Sequence, residues 1–267
     1  MIAIHSVFIA KENILFLEEW IDYHMKLGFD KFYLYDNSKV QYSGGTHSTK
    51  SFFVEGSVNK YGVDYNSLVN LTNNQVNILL KKIQKKYNYV TIINWSPRNA
   101  EGTIIHAQPE AHNHCLNLLK RDRIQWCASI DMDEYIVIKN CYNIKKFINK
   151  LLHKNKNISN ICLKQIVFDS RFTNMDKLVA NITDSYVQLI EGGCKNIFYV
   201  QQTHKLRIHE WFGNGDNYKA TRNEIWFNHY KLTNWKYKTV DNIHPNIKQK
   251  IQVSSQQYLI DKHQYIK

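Results

Sequence analysis

Three carboxylates fall within four residues at Asp131-Met132-Asp133-Glu134, directly after the apolar run Trp126–Ile130. Like charges this close repel one another, so they belong in solvent or beside a cation. Hard divalent ions such as Mg²⁺ and Mn²⁺ take oxygen ligands, often one or two carboxylates completed by substrate phosphates. Ligands of open α/β sheets bind outside the carboxyl ends of strands, so position and chemistry agree. The plainer reading is a solvated acidic turn. Two histidines could add an imidazole to the same ion. His209 follows the strand-like Lys205–Ile208, and His229 ends the strand-like Ile225–Asn228. His112 and His114 are two apart, which suits neither one helix face nor an H-E-x-x-H site. Neither a phosphate-cradling glycine loop nor a G-x-S-x-G elbow occurs. A bound nucleotide would therefore depend on metal, basic side chains and strand-end acids.

The elements that must position these groups alternate in the first half. Ile2–Ala10 reads as a strand, and Asn13–Leu27 carries apolar residues at a helical period, with Gly28 placed to end it. Asp30–Tyr35 reads as a second strand, which makes a β-α-β unit and hence a parallel sheet. Gln41–Lys60 is polar and turn-like, Tyr65–Tyr87 helical, Tyr89–Trp95 a strand. Pro109 suits a first helical turn, with the helix running to about Lys120, and Gln125–Ile130 is the fourth strand. After a helix near Ile144–Leu152, strand-like runs follow at Ile161–Phe168, Tyr186–Ile190, Asn196–Gln201, Lys205–Trp211 and Glu224–Tyr230. A last helix is expected near Val253–His263.

Composition bounds the function classes. The 267 residues are 43% apolar and 13% aromatic, which excludes a disordered chain. No run of 18 apolar residues exists to span a membrane. The five cysteines are odd in number and scattered without a C-x-x-C pair, so neither a zinc knuckle nor a disulfide framework is expected, and a cytoplasmic location fits. The net charge of +12 admits nucleic acid, an anionic membrane or an anionic substrate as partner. Residues 231–267 concentrate it, with seven Lys against two Asp. They form a basic tail, read here either as simply solvated or as a peripheral contact with an anionic membrane carrying a lipid-linked acceptor.

Several segments together resemble glycosyltransferase family 92 and the related family-2-like transferases of the GT-A fold. Lys11-Glu12-Asn13 is followed by Glu19-Trp20, Tyr23-His24, Gly28 and the strand end Tyr35-Asp36-Asn37-Ser38. Gln108–Cys115, Trp126–Val137, Lys195-Asn196-Ile197, Arg207-Ile208-His209 and Asn228-His229-Tyr230 then keep the family order. The departures are Lys-Glu-Asn where Lys/Arg-Asn-Glu is usual, and Phe168–Phe172 where the family has a glycine-containing segment.

The resemblance implies one α/β domain of the GT-A kind, a Rossmann-like nucleotide-diphospho-sugar transferase. A mostly parallel central sheet would form a nucleotide-binding half over 1–138, followed by a mixed acceptor and metal half over 139–240 and a tail over 241–267. It implies sugar transfer, with inversion, from a nucleoside-diphosphate sugar to a hydroxyl of a glycan or lipid-linked glycan, with Mn²⁺ or Mg²⁺ as cofactor. Asp133 would ligate the metal, Asp131 metal and ribose, and His209 or His229 would complete the set, His209 being preferred because it leaves a strand. Glu12, Asp36 and Asn37 would meet base and ribose, and Gln108 sugar or phosphate. Arg98 and Lys195 would meet phosphate. The general base would be Asp169 or Glu210, with Glu134 less suited because it adjoins the metal. Trp20 and His24 share a helix face and read as packing. A nucleic-acid-binding module and a metal-dependent phosphoesterase are the alternatives, the former not expected as partner because no binding motif accompanies the charge.

Overall fold

A computed structural model describes residues 1–39, 71–139, 141–168, 185–186 and 194–230. Asp169, the 241–267 tail and the helix expected at Val253–His263 lie outside the described residues.

Chain order explains the sheet. Strand β1 (Ile2–Phe8) leads into helix α1 (Ala10–Lys26) and returns as β2 (Lys31–Asp36), parallel to β1. Gly28 lies just past α1 at φ +105°, and a Cβ there would come within 3.0 Å of the Asn143 side chain. Glycine is needed for both reasons. Helix α2 (Asn73–Lys86) starts at a capping box between Thr72 and Gln75 and feeds β3 (Val90–Asn94). Helix α3 (Gln108–Arg121) carries Pro109 in its first turn and precedes β4 (Trp126–Ser129). Strand β5 (Glu134–Ile138) and helix α4 (Ile144–Lys154) follow. The mixed half holds β6 (Ile158–Leu163), β7 (Gln165–Phe168), β8 (Ser185–Tyr186), β9 (Lys195–Tyr199), β10 (Thr203–Leu206), β11 (Trp211–Gly213), β12 (Asp216–Lys219) and β13 (Ile225–Tyr230).

The central sheet has seven strands in the order β12-β6-β9-β4-β1-β2-β3. Strands β4, β1, β2 and β3 run parallel, and β9 lies antiparallel between β4 and β6. This is the α/β class with a mostly parallel sheet and a mixed second half that the sequence led one to expect. Strand order reverses between β1 and β4, so the crevice beyond their carboxyl ends is the topological switch point. Asp131 emerges there.

Alternation along the strands divides the core. Ile2, Ile4 and Phe8 of β1 pack with Phe32, Leu34 and Trp126 under α1, α2 and α4. Ala3 and Val7 pack with Tyr33, Tyr35 and Cys127 under α3. A second sheet, β5-β13-β7-β8, and a β10–β11 hairpin complete the described structure.

Three expectations change. The run Ile161–Phe168 is two strands, because the chain leaves the central sheet after Leu163 and joins the second sheet from Gln165. Lys205–Trp211 is a hairpin turning at 207–210, closed by the Arg207 N–H on the Glu210 carbonyl at 3.0 Å. Cysteine spacing suggests no disulfide, yet Cys162 at the end of β6 and Cys194 before β9 are bonded, because antiparallel pairing of β6 and β9 brings these residues together.

Candidate active site

The acidic segment is a tight turn between two sheets. The Glu134 N–H reaches the Asp131 carbonyl at 3.1 Å, and the Asp131 N–H reaches Glu134 Oε2 at 2.9 Å. Helix α1 buttresses the strand that follows. Trp20 Nε1–H donates to the Glu134 carbonyl at 2.8 Å, and the Tyr23 hydroxyl to the Ile136 carbonyl at 2.7 Å. His24 places Nδ1 2.9 Å from the Trp20 carbonyl and accepts the Ile136 N–H at Nε2. The Trp20 and His24 face thus fixes the strand that carries Glu134.

Antiparallel pairing of β5 with β13 sets His229 directly opposite Glu134. Its Nδ1 lies 3.0 Å from Gln165 Oε1 on β7, and its Nε2 lies 3.4 Å from Asp133 Oδ2. Glu134 Oε1 is 3.9 Å from the same ring. One ligand atom from each of Asp133, Glu134 and His229 lies within 4.8 Å of the others. Asp133 is 4% exposed and Glu134 1%. An amide oxygen at Nδ1 selects the Nδ1–H tautomer, which turns the Nε2 lone pair toward a carboxylate. Nε2 is buried and makes no hydrogen bond. Converging imidazole and carboxylate groups suit a divalent cation.

The other pole is basic. Lys195 opens β9, is 4% exposed, and sets its ammonium 2.7 Å from Asp131 Oδ2 and 3.3 Å from Glu134 Oε2. Burial alone would lower its pKa, but the two carboxylates outweigh that and hold it above the ordinary lysine value. Burial pushes the Glu134 carboxyl up to about 7, against the pull of Lys195. The two oxygens of Glu134 are thus divided, Oε2 toward the ammonium and Oε1 toward the histidine.

The other residues singled out in the sequence take different places. His209 is exposed on the hairpin turn and stands outside the Asp133, Glu134 and His229 group. Glu210 is on the same turn, tied to Arg207 at 3.2 Å. Glu12 falls in the first turn of α1 rather than at a strand end. Asp36 ends β2 and accepts the Ser38 N–H at 3.0 Å. Asn37 is fully buried, and its amide is engaged by the Trp95 carbonyl at 2.8 Å and by His106 Nδ1 at 2.8 Å. Gln108 opens α3 with its Oε1 3.3 Å from His106 Nε2. Arg98 is exposed and bonds the Gly102 carbonyl of its own turn. Glu134 as a member of the group and Gln165 as orienter were not foreseen. The apolar run Tyr135–Ile138 was the available sign, since it makes Glu134 the first residue of a strand rather than the end of a turn.

A second histidine centre lies behind the sheet. His5 on β1 and His112 on α3 approach at 2.7 Å between Nε2 and Nδ1, both buried. Burial pushes the His5 pKa down to about 3, and that of His112 falls as well.

The sequence profile described as glycosyltransferase family 92 matches residues 57–264, more than half of the chain. The chain belongs to glycosyltransferase family 92. It is accordingly a glycosyltransferase, as the ordered motifs implied. No curated protein matches it. Among solved structures, UDP-glucose pyrophosphorylase from Acinetobacter baumannii is 10% identical with TM-score 0.36, covering 98% of each chain. A UTP-bound form from the same organism is 11% identical with TM-score 0.35, covering 97% of this chain and 98% of that one. Likenesses this low carry no argument about the family 92 site.

Proposed function

We propose that this family 92 enzyme transfers a sugar from a nucleoside-diphosphate sugar to a hydroxyl acceptor, with a divalent cation held by Asp133, Glu134 and His229. The observation that carries this is the His229 Nε2 lone pair aimed at Asp133 Oδ2 at 3.4 Å without a hydrogen bond. When bound, Mn²⁺ or Mg²⁺ supplies Lewis-acid neutralisation of a departing diphosphate. The chain's own residues do the rest. Gln165 holds His229 in the tautomer that presents Nε2. Lys195 keeps Asp131 and Glu134 together despite their like charge, so the turn projects Asp133 at the switch point. Trp20, Tyr23 and His24 keep β5 from shifting. The geometry favours His229 over His209 as the imidazole, because pairing of β5 and β13 leaves no other register for it.

The test uses thermal shift and isothermal titration with Mn²⁺ and a panel of UDP-, GDP- and dTDP-sugars. Wild type is expected to bind the ion and, with it, one donor class. Asp133→Ala is expected to lose more than about 100-fold in Mn²⁺ affinity, beyond the cost of losing a mere orienting partner. Its far-UV circular dichroism should match wild type, so that the lost affinity is not a lost fold. Unchanged Mn²⁺ affinity would overturn the metal assignment.

A further inference from the structure

A cleft of about 810 Å³ opens between the start of α3 and the β10–β11 hairpin, and none of the proposed metal ligands lines it. Its walls are Glu110 on one side and Lys205, Arg207, Ile208, His209 and Glu210 on the other, with Cys194 at its edge. Cys194 directly precedes Lys195, whose ammonium holds Asp131, so the cleft adjoins the acidic turn.

The hairpin is anchored, not loose. Asn113 of α3 accepts the Leu206 N–H at 3.1 Å and donates to the Leu206 carbonyl at 2.9 Å. Lys120 donates to the Thr203 carbonyl at 2.9 Å. The tip is tied across itself by Arg207 and Glu210 through both backbone and side chains. The Arg207 guanidinium also stands over the Phe212 ring at 5.4 Å. Ile208 is 39% exposed and Phe212 42%, so apolar surface accompanies the fork of donors and acceptors.

Charge then selects the ligand class. Lys205 and Arg207 bring two positive groups to the lining, and Glu110 and Glu210 two negative, with Arg207 and Glu210 paired at 3.2 Å. His209 adds little charge at neutral pH, because partial desolvation on the cleft side of the exposed turn, and then the Lys195 ammonium, lower its pKa. A lining whose formal charges cancel offers hydrogen-bond donors and acceptors without a net pull on an ion. Polyhydroxyl compounds with one apolar face fit such a wall, whereas phosphates and carboxylates gain nothing from it.

We infer that the cleft between α3 and the β10–β11 hairpin is the acceptor subsite, that it takes a neutral saccharide, and that Arg207 with Glu210 determines its specificity. This rests on the donor being engaged at the neighbouring Asp133, Glu134 and His229 group. It departs from the anionic acceptor that the basic tail suggested.

The test is saturation-transfer NMR on the full chain with methyl glycosides of glucose, galactose, mannose and N-acetylglucosamine, beside glucuronate and glucose 6-phosphate. At least one neutral glycoside is expected to bind. Its binding should weaken about tenfold in Arg207→Ala, the scale of one charged hydrogen bond. Arg207→Lys should fail to rescue it, because the planar fork is lost while the charge remains. Binding should change little between about 0.05 and 0.5 M salt, a range that screens ionic attraction. Absence of binding by every neutral glycoside, equal binding by Arg207→Ala, or salt-sensitive binding of the anionic sugars alone would overturn the inference. Asp133→Ala is the control. Glycoside binding kept by that variant, with donor binding absent even in wild type, would sink the donor reading and leave the subsite standing.

Discussion

The two histidine centres make an instructive pair. His5 and His112 are buried, meet ring to ring, and keep company with the Tyr35 ring at 4.9 Å from His5. His229 is likewise shielded, but its ring faces two carboxylates across adjoining strands. The side chain is the same, and the neighbours decide its role. A histidine hydrogen-bonded to another neutral ring resists a proton. A histidine whose Nδ1 is held by an amide and whose Nε2 meets carboxylates could share a cation with them. Position in the sheet separates them, since His5 points at the α3 side of a fully covered strand while His229 lies where the two sheets part.

Acid should have the largest effect and should act on the two centres with opposite sign. His5 has a folded-state pKa of about 3 against an ordinary 6.5, so the unfolded chain takes the proton first. Its contribution to stability is full above pH 6.5 and is lost as pH falls toward 3. A tenfold difference in proton affinity between folded and unfolded chains is worth about 1.4 kcal/mol, so the whole loss is several kcal/mol. Glu134 has a folded-state pKa of about 7 against 4.5, so the fold takes that proton first. Its contribution is full below pH 4.5 and is lost as pH rises to 7. Urea denaturation across this range should show a flatter acid loss in His5→Gln and a steeper one in Glu134→Gln. Parallel curves for the two variants would remove the contrast.

Lys195→Met comes next. It leaves Asp131 and Glu134 facing each other without their ammonium and should cost about 3–5 kcal/mol, measured by chemical denaturation. Adding Mn²⁺ should recover part of the loss if the ion shares the carboxylates. A smaller effect follows from Gln165→Leu, which frees the His229 tautomer. Mn²⁺ affinity should fall about tenfold with stability nearly unchanged. Smallest of all is His209→Ala, which should leave Mn²⁺ affinity within about twofold of wild type, while His229→Ala removes it. Equal losses in the two histidine variants would place both rings on the ion.

Much of this was readable from the chain. The β-α-β opening, Gly28 and the helix opening around Pro109 obey local rules of period, capping and turn chemistry, so β1 to β4 and α1 to α4 follow directly. The importance of Asp131 to Glu134 was also visible, because like charges after an apolar strand need a partner. Which residues partner them was not. Lys195 reads as a phosphate partner in sequence, and only the antiparallel insertion of β9 beside β4 shows its ammonium buried against Asp131. His209 and His229 both leave apparent strands, and strand register alone separates them. Asn37 has turn chemistry in sequence and proves to be a buried tie between β2, Trp95 and His106. Long-range pairing carries each of these distinctions, and no local pattern encodes it.

The Cys162–Cys194 bond closes a covalent ring of chain, with 32 positions separating its two ends. A protease cut anywhere between them would leave both products joined. Such a molecule would migrate as one band without reductant and as two with it. The ring also frees the length of that segment from the register of β6 and β9, since the bond and the ladder fix both ends. A break in the chain there would leave Lys195 where it is, since Cys194 beside it stays bonded to Cys162 of β6.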